Sequence, residues 1–158
     1  MLKLGVILNE LNNDDKSLAV ITNLNKLVLD GINVTLFYRV STVMPPIQTY
    51  FSILFQNEVF GYRGPLIATD IESFALLDNS YSRQNKFFYM WDLEWDIIAN
   101  SDYNINKRIY HHPTFTYLTR SEHHQAIFQK VWGQKSQIIQ EFDYVGLKTY
   151  CVSNSHNH

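Results

Sequence analysis

The chain has 158 residues, enough for one domain with a sizeable core and too few for two domains of ordinary size. Its 13 Lys and Arg residues against 15 Asp and Glu residues give a formal charge of -2, which excludes a strongly basic surface for nucleic acid or anionic membranes. A single cysteine, no apolar run near the roughly 18 residues of a membrane span and no signal-like N-terminus predict a soluble, cytoplasmic protein.

The first part of the chain predicts a strand, a helix and a second strand. Leu2 to Leu8 is an apolar run, and from Leu18 apolar residues recur at helical spacing until Gly31, a typical C-cap residue. Ile32 to Tyr38 alternates in the manner of a strand. The Pro45-Pro46 pair then predicts the start of another helix, whose apolar positions are Ile47, Tyr50, Phe51, Leu54 and Phe55.

The rest of the chain predicts four more strands and two more helices. The strands are Leu66 to Ala68, Phe87 to Trp91, Phe115 to Leu118 and Gln137 to Phe142. The helices are Asp70 to Asp78 and Arg120 to Trp132, the second ended by Gly133. Long loops are predicted over Asn79 to Asn85 and Asn100 to His112. We expect one domain over residues 1–150 and a polar C-terminal tail over residues 151–158.

Four of the predicted strands stop abruptly at polar, hydrogen-bonding side chains. Continuous apolar runs separated by helical patterns are typical of parallel strands that are buried on both faces. We therefore predict an α/β fold: a single Rossmann-like domain with a mainly parallel sheet of five or six strands and helices on both faces. Ligands of such sheets bind beyond the carboxyl ends of the strands. One edge of the sheet should therefore carry Asn9, Asp70, Asp92 and Arg120.

The densest chemical cluster follows the fourth predicted strand and consists of Trp91, Asp92, Glu94 and Trp95. An indole face stacks on the apolar face of a sugar ring, and a carboxylate accepts hydrogen bonds from sugar hydroxyls. An apolar wall raises the pKa of a carboxylate towards neutrality, which makes Asp92 or Glu94 a candidate catalytic base. The alternative is that Trp91 is a core residue and that the two acids only begin the next helix.

Two strand-to-helix junctions, Thr69 to Glu72 and Thr119 to Glu122, have the Thr-x-x-Glu pattern of a capping box. The helix N-terminus after each cap is a site where an anion or a sugar hydroxyl can bind. The alternative is a cap with no further role. The candidate ligand contacts at these junctions and at the neighbouring strand ends are Asn9, Asp70, Trp91, Trp95, Arg120, Ser121 and His123. If the fourth and fifth strands are adjacent, we expect Arg120 to meet the carboxylates of Asp92 and Glu94.

Signatures of cofactors and metals are missing from the sequence. There is no G-x-G-x-x-G fingerprint, Walker loop or G-x-S-x-G elbow. The histidine doublets lack the spacing of zinc ligands, so we predict neither a metal nor a cofactor. A phospho-receiver domain has a similar order of elements, but it carries paired acids after its first strand and a Lys after its fifth. Here Asn9-Glu10 and Thr119-Arg120 stand at those places.

Four segments together resemble the N-terminal, acceptor-side half of GT-B glycosyltransferases: Leu4 to Asn9, Leu66 to Asp70, Phe88 to Trp95 and Tyr117 to Glu122. The resemblance spans Met1 to Tyr144 and implies a sugar or nucleotide-sugar ligand. In that family a second Rossmann-like domain binds the nucleotide-sugar, and this chain ends near where it would begin, so no donor-binding residue is carried over. Two interpretations stay open: an acceptor-side domain of a split or degenerate sugar-transfer enzyme, and a non-catalytic binding or assembly module.

The aromatic content also bears on association. Aromatic residues make up 15% of the chain, a high share for one domain. Apolar surface that the fold leaves exposed usually marks a contact. We therefore expect a homodimer or a separate partner chain, bound through aromatic residues between Pro45 and Tyr62.

Overall fold

The computed structural model describes residues 1–41, 47–80, 85–97 and 102–152. The strands in these ranges are β1 (Lys3–Leu11), β2 (Asn33–Ser41), β3 (Ser52–Phe55), β4 (Leu66–Ala68), β5 (Lys86–Met90), β6 (Phe115–Thr119) and β7 (Gln137–Ile138). The helices are α1 (Asp15–Leu29), α2 (Ile71–Asp78), α3 (Glu94–Ile97), α4 (Tyr103–Tyr110), α5 (Glu122–Trp132) and α6 (Tyr144–Leu147). None of the helices in these ranges combines the length and the apolar character that crossing a lipid bilayer requires.

All the described strands join one parallel sheet in the order β3-β2-β1-β4-β5-β6-β7. The chain starts in the middle at β1, builds outwards to β3, and then returns to β4 and builds outwards in the other direction. This is the doubly wound order of Rossmann-type sheets, and the direction of winding reverses between β1 and β4. The predicted α/β class is confirmed, with seven strands in the described ranges instead of five or six.

The register of the sheet brings the carboxyl ends of the central strands level. Ile7 pairs with Ala68, Ala68 pairs with Phe88, and Phe88 pairs with Tyr117. The residues that lie two to four positions further along the chain therefore reach the same edge. As predicted, this edge carries Asn9, Asp70, Asp92 and Arg120.

The core consists of two apolar layers, one on each face of the sheet. Alternate residues of β5 show the division: Phe87 and Tyr89 pack with the layer against α1, while Phe88 and Met90 pack with the layer against α2 and α5. Every residue of β5 is buried because both faces are covered. The strand therefore reads as a continuous apolar run in the sequence.

The helix predicted after Pro45-Pro46 is wrong within the described residues. Ser52–Phe55 forms the edge strand β3, and a 3-10 helix, Gln56–Gly61, follows it. The apolar spacing of this segment fits both periods: Phe51 and Ile53 pack on one layer of the core, as alternating strand residues do. Pro45 and Pro46 lie outside the described residues.

The long loop predicted over Asn100 to His112 contains the helix α4. The Asp102 side chain accepts hydrogen bonds from two backbone amides of its first turn, at 2.7 and 3.1 Å. The buried face of α4 is Asn106, Ile109 and Tyr110, so an amide interrupts its apolar pattern. Of the other predicted loop, Asn79 to Asn85, residues 81–84 lie outside the described residues.

The end of the chain differs from the prediction at two places. The sixth predicted strand, Gln137 to Phe142, is a strand only at Gln137–Ile138. It then turns, because Glu141 and Phe142 have positive φ angles of 49° and 59°. Cys151 and Val152, which we assigned to the polar tail, are fully buried in the core.

Candidate functional site

A polar crevice lies at the carboxyl edge of the sheet where the winding reverses. Its volume is about 230 Å³, and it opens between the end of β1, the start of α1 and the connections that follow β4 and β5. We call it the switch-point crevice, and its lining residues are Asn9, Glu10, Asp14, Lys16, Asp70, Glu72, Asp92 and Glu94. Ligands of doubly wound sheets bind at this position.

A larger cavity of about 480 Å³ lies at the opposite end of the sheet. Its walls include His112 and the residues that begin β6 and β7. The amino ends of parallel strands do not form the usual ligand crevice of an open α/β sheet. We therefore take the switch-point crevice as the candidate site although it is smaller.

Asp70 connects three of the elements that surround the crevice. Its Oδ1 accepts a hydrogen bond of 2.8 Å from the Ser73 amide, and its N-H donates to the Ser73 hydroxyl at 3.0 Å, which closes a capping box at the start of α2. Its Oδ2 accepts from the Asn9 amide at 3.4 Å and pairs with Lys16 Nζ at 3.3 Å. One carboxylate thus links β1, α1 and α2.

The caps at both predicted junctions lie further along the chain than the Thr-x-x-Glu pattern indicated. At the first junction the cap is Asp70, while the Thr69 hydroxyl donates to the Ile7 carbonyl at 2.8 Å and ties β4 to β1. At the second the cap is Ser121, whose hydroxyl accepts from the His124 amide at 3.2 Å. Thr119 is the last residue of β6 and Thr69 directly follows β4, so both helices begin after the threonines.

Glu94 is the candidate base that the structure places in the crevice. Its two carboxylate oxygens accept the Ile71 amide hydrogen at N···O distances of 3.0 and 3.3 Å. Burial raises the pKa of Glu94 to about 7, and the nearby charges of Asp70 and Asp92 also raise it, whereas the Ile71 amide and Lys16 lower it. A carboxyl group with this pKa exchanges its proton near neutral pH, as a general acid or base must.

The charge of the crevice is strongly negative. Its lining includes six acidic side chains, and Lys16 is the cation among the described lining residues. Glu72 pairs with Arg39 at 3.0 Å outside this lining, and Glu94, with a pKa of about 7, carries only part of a charge at neutral pH. Lys16 is already engaged, since its Nζ donates to the Thr69 carbonyl at 2.9 Å and pairs with Asp70. No group of three or more His, Cys, Asp or Glu side chains in the described ranges is arranged to hold a metal ion. The crevice thus favours a neutral hydroxyl-rich or a cationic ligand over an anion.

The ion pair expected between Arg120 and the carboxylates after β5 is replaced by a different one. Arg120 Nε donates to Glu141 Oε1 at 3.0 Å, and its guanidinium lies 4.4 Å from the centre of the Trp91 ring. We call these three residues the Arg120 corner. The positive φ angle of Glu141 belongs to the turn after β7 that brings this residue to the sheet edge. β5 and β6 are adjacent as expected, but a third segment supplies the carboxylate.

The two indoles of the predicted cluster lie in different layers of the core. Trp91 is 7% exposed and packs in the layer against α1. Trp95 packs in the other layer, 4.8 Å from the Tyr110 ring and 5.9 Å from the Trp132 ring. The two indoles of the predicted cluster therefore do not lie on the same face of the sheet. Glu94 does begin α3, as the structural interpretation of the cluster predicted.

Ser121 and His123 lie apart from the switch-point crevice. They line a separate opening at the start of α5, together with Ile138 and Gln140. His123 is exposed, and the Ser121 hydroxyl is engaged as the helix cap. Of the predicted site residues, the structure brings together Asn9, Asp70, Asp92 and Glu94, and it separates Trp91, Trp95, Arg120, Ser121 and His123 from them.

Lys16 is the residue of the crevice that the sequence reasoning missed most clearly. It stands in the first turn of α1, two residues after the capping residue Asp14. The position of a basic side chain so close to the positive end of a helix was the available signal, because the helix dipole disfavours it there unless a carboxylate is near. Asp70 is that carboxylate.

Fold and crevice together define a doubly wound, Rossmann-like α/β protein with an acidic site at the point where its winding reverses. Comparison of the sequence with models of protein families and with curated proteins finds no match. The chemistry of the crevice therefore provides the evidence on function.

Proposed function

We propose that the switch-point crevice binds a neutral, hydroxyl-rich ligand such as a sugar, and that the chain acts as a glycosyltransferase-like acceptor-side domain. The observation that carries the proposal is the position of Glu94. A partly buried carboxyl group with a pKa of about 7 lies beside Asp70 and Asp92, at the place where ligands of such sheets bind.

The proposed chemistry is removal of a proton from an acceptor hydroxyl. The Glu94 carboxylate takes the hydroxyl proton while the hydroxyl oxygen forms a bond to the anomeric carbon of the donor sugar. The bond between that carbon and the leaving group breaks, and the leaving group takes its electron pair. The donor and its binding residues belong to another domain or chain in this proposal. Asp92, which is exposed in the crevice, accepts a hydrogen bond from a second hydroxyl.

The charge of the crevice favours the acceptor over the donor. A nucleotide-sugar carries phosphate groups, and the excess of acidic side chains in the crevice repels them even with Asp70 paired to Lys16 and Glu72 paired to Arg39. A neutral sugar meets no such repulsion, and its hydroxyls are donors for carboxylate oxygens. Between the two ligands implied by the family resemblance, we therefore propose the neutral sugar.

A non-catalytic binding or assembly module is the second candidate, and one contact favours it. Both Glu94 oxygens lie near the Ile71 amide, at 3.0 and 3.3 Å, so the carboxylate also acts as a fixed acceptor for the first turn of α2. In this case no proton is transferred in the crevice, whether or not it binds a ligand. A test of sugar binding combined with substitution of both acids separates the two candidates.

The test is a calorimetric titration of the protein with a panel of neutral sugars and, separately, with nucleotide-sugars. We expect a neutral sugar to bind and Asp92→Asn to weaken it by about tenfold, the value of one charge-assisted hydrogen bond. Glu58→Gln, which removes an exposed carboxylate outside the crevice, is the matched control and should leave the affinity unchanged.

The same experiment can contradict the proposal. Binding that prefers nucleotide-sugars, or binding that Asp92→Asn leaves intact, would place the ligand elsewhere. If a sugar binds and Glu94→Gln retains full transfer activity once a donor-side partner is added, the catalytic role of Glu94 is wrong and the binding module remains.

A further inference from the structure

The edge strand β3 exposes an unusual amount of apolar surface. It pairs with β2 on one side, and among the described strands none pairs with its other side. The exposed fractions in and beside it are 54% for Tyr50, 40% for Leu54, 45% for Phe55 and 51% for Phe60. Native edge strands are usually protected by charges, by proline or by a covering element. Ser52–Phe55 contains neither a charged residue nor a proline.

The exposed side chains lie on both faces of this edge. Successive strand residues point to opposite faces, so Leu54 and Phe55 lie on opposite sides of the sheet. Phe55 contacts the Tyr38 ring at 6.0 Å, on the face of Ile53 and the α1 layer. A helix or a flat surface packed on one face would cover only one of the two residues. An added strand extends both layers at once and covers both.

The size and the charge of this surface fit a second copy of the chain. Four side chains of about 150–250 Å² each, exposed by roughly half, present on the order of 400 Å² of apolar surface. A specific interface needs about 500 Å² per partner, and the backbone and polar atoms of the edge supply the remainder. Residues 50–57 carry no charge, and the exposed Glu58 lies beyond the strand, in the 3-10 helix that follows it. The paired strands can therefore meet without like charges opposite each other.

We propose that two copies of this chain associate edge to edge through β3. A twofold axis reverses the direction of the strand, so β3 pairs antiparallel with β3 of the second copy and the two sheets become continuous. Leu54 then lies near Leu54 of the second copy on one face of the joined sheet. Phe55 lies near Phe55 of the second copy on the other face. The switch-point crevice belongs to other strands, so the dimer does not depend on the ligand proposed for it.

The first test is the mass of the protein in solution, measured by light scattering or sedimentation over a dilution series. We expect the full chain to have twice its 18.6 kDa mass at high concentration and to dissociate on dilution. The double variant Leu54→Lys and Phe55→Lys should be monomeric, because charges on an edge strand block pairing. The control is Leu29→Lys with Val131→Lys, which places the same two charges at exposed apolar positions of α1 and α5 and should stay dimeric.

Hydrogen exchange of the unsubstituted protein provides the second test and does not depend on how a variant folds. The amides of Ser52–Phe55 that point away from β2 should gain protection as the concentration rises, while those of the central strand β5 should not change. A monomer at every concentration, a dimer that survives the double substitution in a folded protein, or protection that appears elsewhere and not in β3 would each overturn the proposal.

Discussion

The switch-point crevice and the Arg120 corner share one edge of the sheet, but they differ in charge: the corner is neutral and the crevice is negative. In the corner the guanidinium is neutralised by Glu141 and stacked on Trp91, and the ion pair is partly open to solvent, with side-chain exposures of 29% and 54%. In the crevice the carboxylates outnumber the cation, and one of them, Glu94, is partly buried with its pKa raised.

The comparison shows that polar residues at neighbouring strand ends need not form one site. The turn after β7 places Glu141 beside Arg120, and Arg120 pairs with Glu141 and not with Asp92. We infer a structural role for the corner, while the crevice keeps an excess of negative charge that a structural role does not require. The predictions below test whether this division is correct.

The largest expected effect is a pH-dependent loss of stability caused by Glu94. Its pKa rises from 4.5 to about 7 on folding, so between these values the folded state holds a proton that the unfolded chain has released. Stability should therefore fall as the pH rises through this window, by on the order of 2–3 kcal/mol. Denaturant unfolding of the protein and of Glu94→Gln at a series of pH values measures the difference.

Glu10→Gln is the matched control for this effect, because Glu10 is exposed and lines the same crevice. The variant should keep the pH dependence that Glu94→Gln loses. If Glu94→Gln shows the same fall in stability as the unsubstituted protein, Glu94 is not the titrating group of the crevice.

The second prediction concerns the support of the Arg120 corner. The buried Tyr89 hydroxyl donates to the Ile139 carbonyl at 2.7 Å and accepts from the Phe142 amide at 2.8 Å, so it holds the turn that carries Glu141. Tyr89→Phe leaves both backbone groups without this partner and should lower the free energy of unfolding by about 2 kcal/mol. Chemical denaturation measures the loss.

Tyr103→Phe is the control, since Tyr103 is 65% exposed and the substitution retains a ring to stack on Trp132. It should cost well under half as much. The stability of Tyr89→Phe should also keep the pH dependence assigned to Glu94, because the Tyr89 hydroxyl bonds to Ile139 and Phe142 and none of these three residues lines the crevice. Loss of that dependence would mean that the two regions are coupled and that the comparison above is wrong.

The fold was largely predictable from the sequence because its central strands are buried on both faces. Lys86–Met90 shows why: both faces of this strand are buried, so its sequence is an almost continuous apolar run. Only a buried strand or a short buried helix produces such a run. The edge strand β3 was not predictable because its faces are not both buried. β3 is half exposed, and its apolar residues fit a helical period as well as an alternating one.

The site was predictable only in part, since it depends on contacts between distant segments. The position of Asp92 and Glu94 after a strand placed them at the correct edge. The contact that defines Glu94, the Ile71 amide, comes from a residue 23 positions earlier and needs the strand order to be known. The pairing of Arg120 with Glu141 depends on the positive φ angle of Glu141 itself. No pattern in the sequence predicts such an angle at a non-glycine residue.

The third prediction is a modest effect in the Arg120 corner. Arg120→Ala removes a partly exposed ion pair and a cation-π contact, each worth up to about 1 kcal/mol at such a site, so the loss of stability should be near 1 kcal/mol. Arg120→Lys should recover only part of it, because lysine does not stack as a planar guanidinium does. Arg63→Ala, at an exposed position, is the control in the same unfolding experiment. An effect as large as that of Tyr89→Phe would show that Arg120 has a role beyond this corner.

The smallest expected effects are two opposite shifts in the titration of Glu94. Lys16 lowers the pKa of Glu94 and Asp92 raises it, so Lys16→Met should move the titration to higher pH and Asp92→Asn should move it to lower pH. Each charge acts through a partly solvated crevice, where an interaction of about 1 kcal/mol or less corresponds to under one pKa unit. NMR titration of the Glu94 side-chain carboxyl carbon measures both shifts, and Arg120→Ala, in the neighbouring corner, should produce a smaller one than either. Shifts in the same direction for both crevice variants would mean that their substitutions act on Glu94 by changing its burial instead of the charge around it.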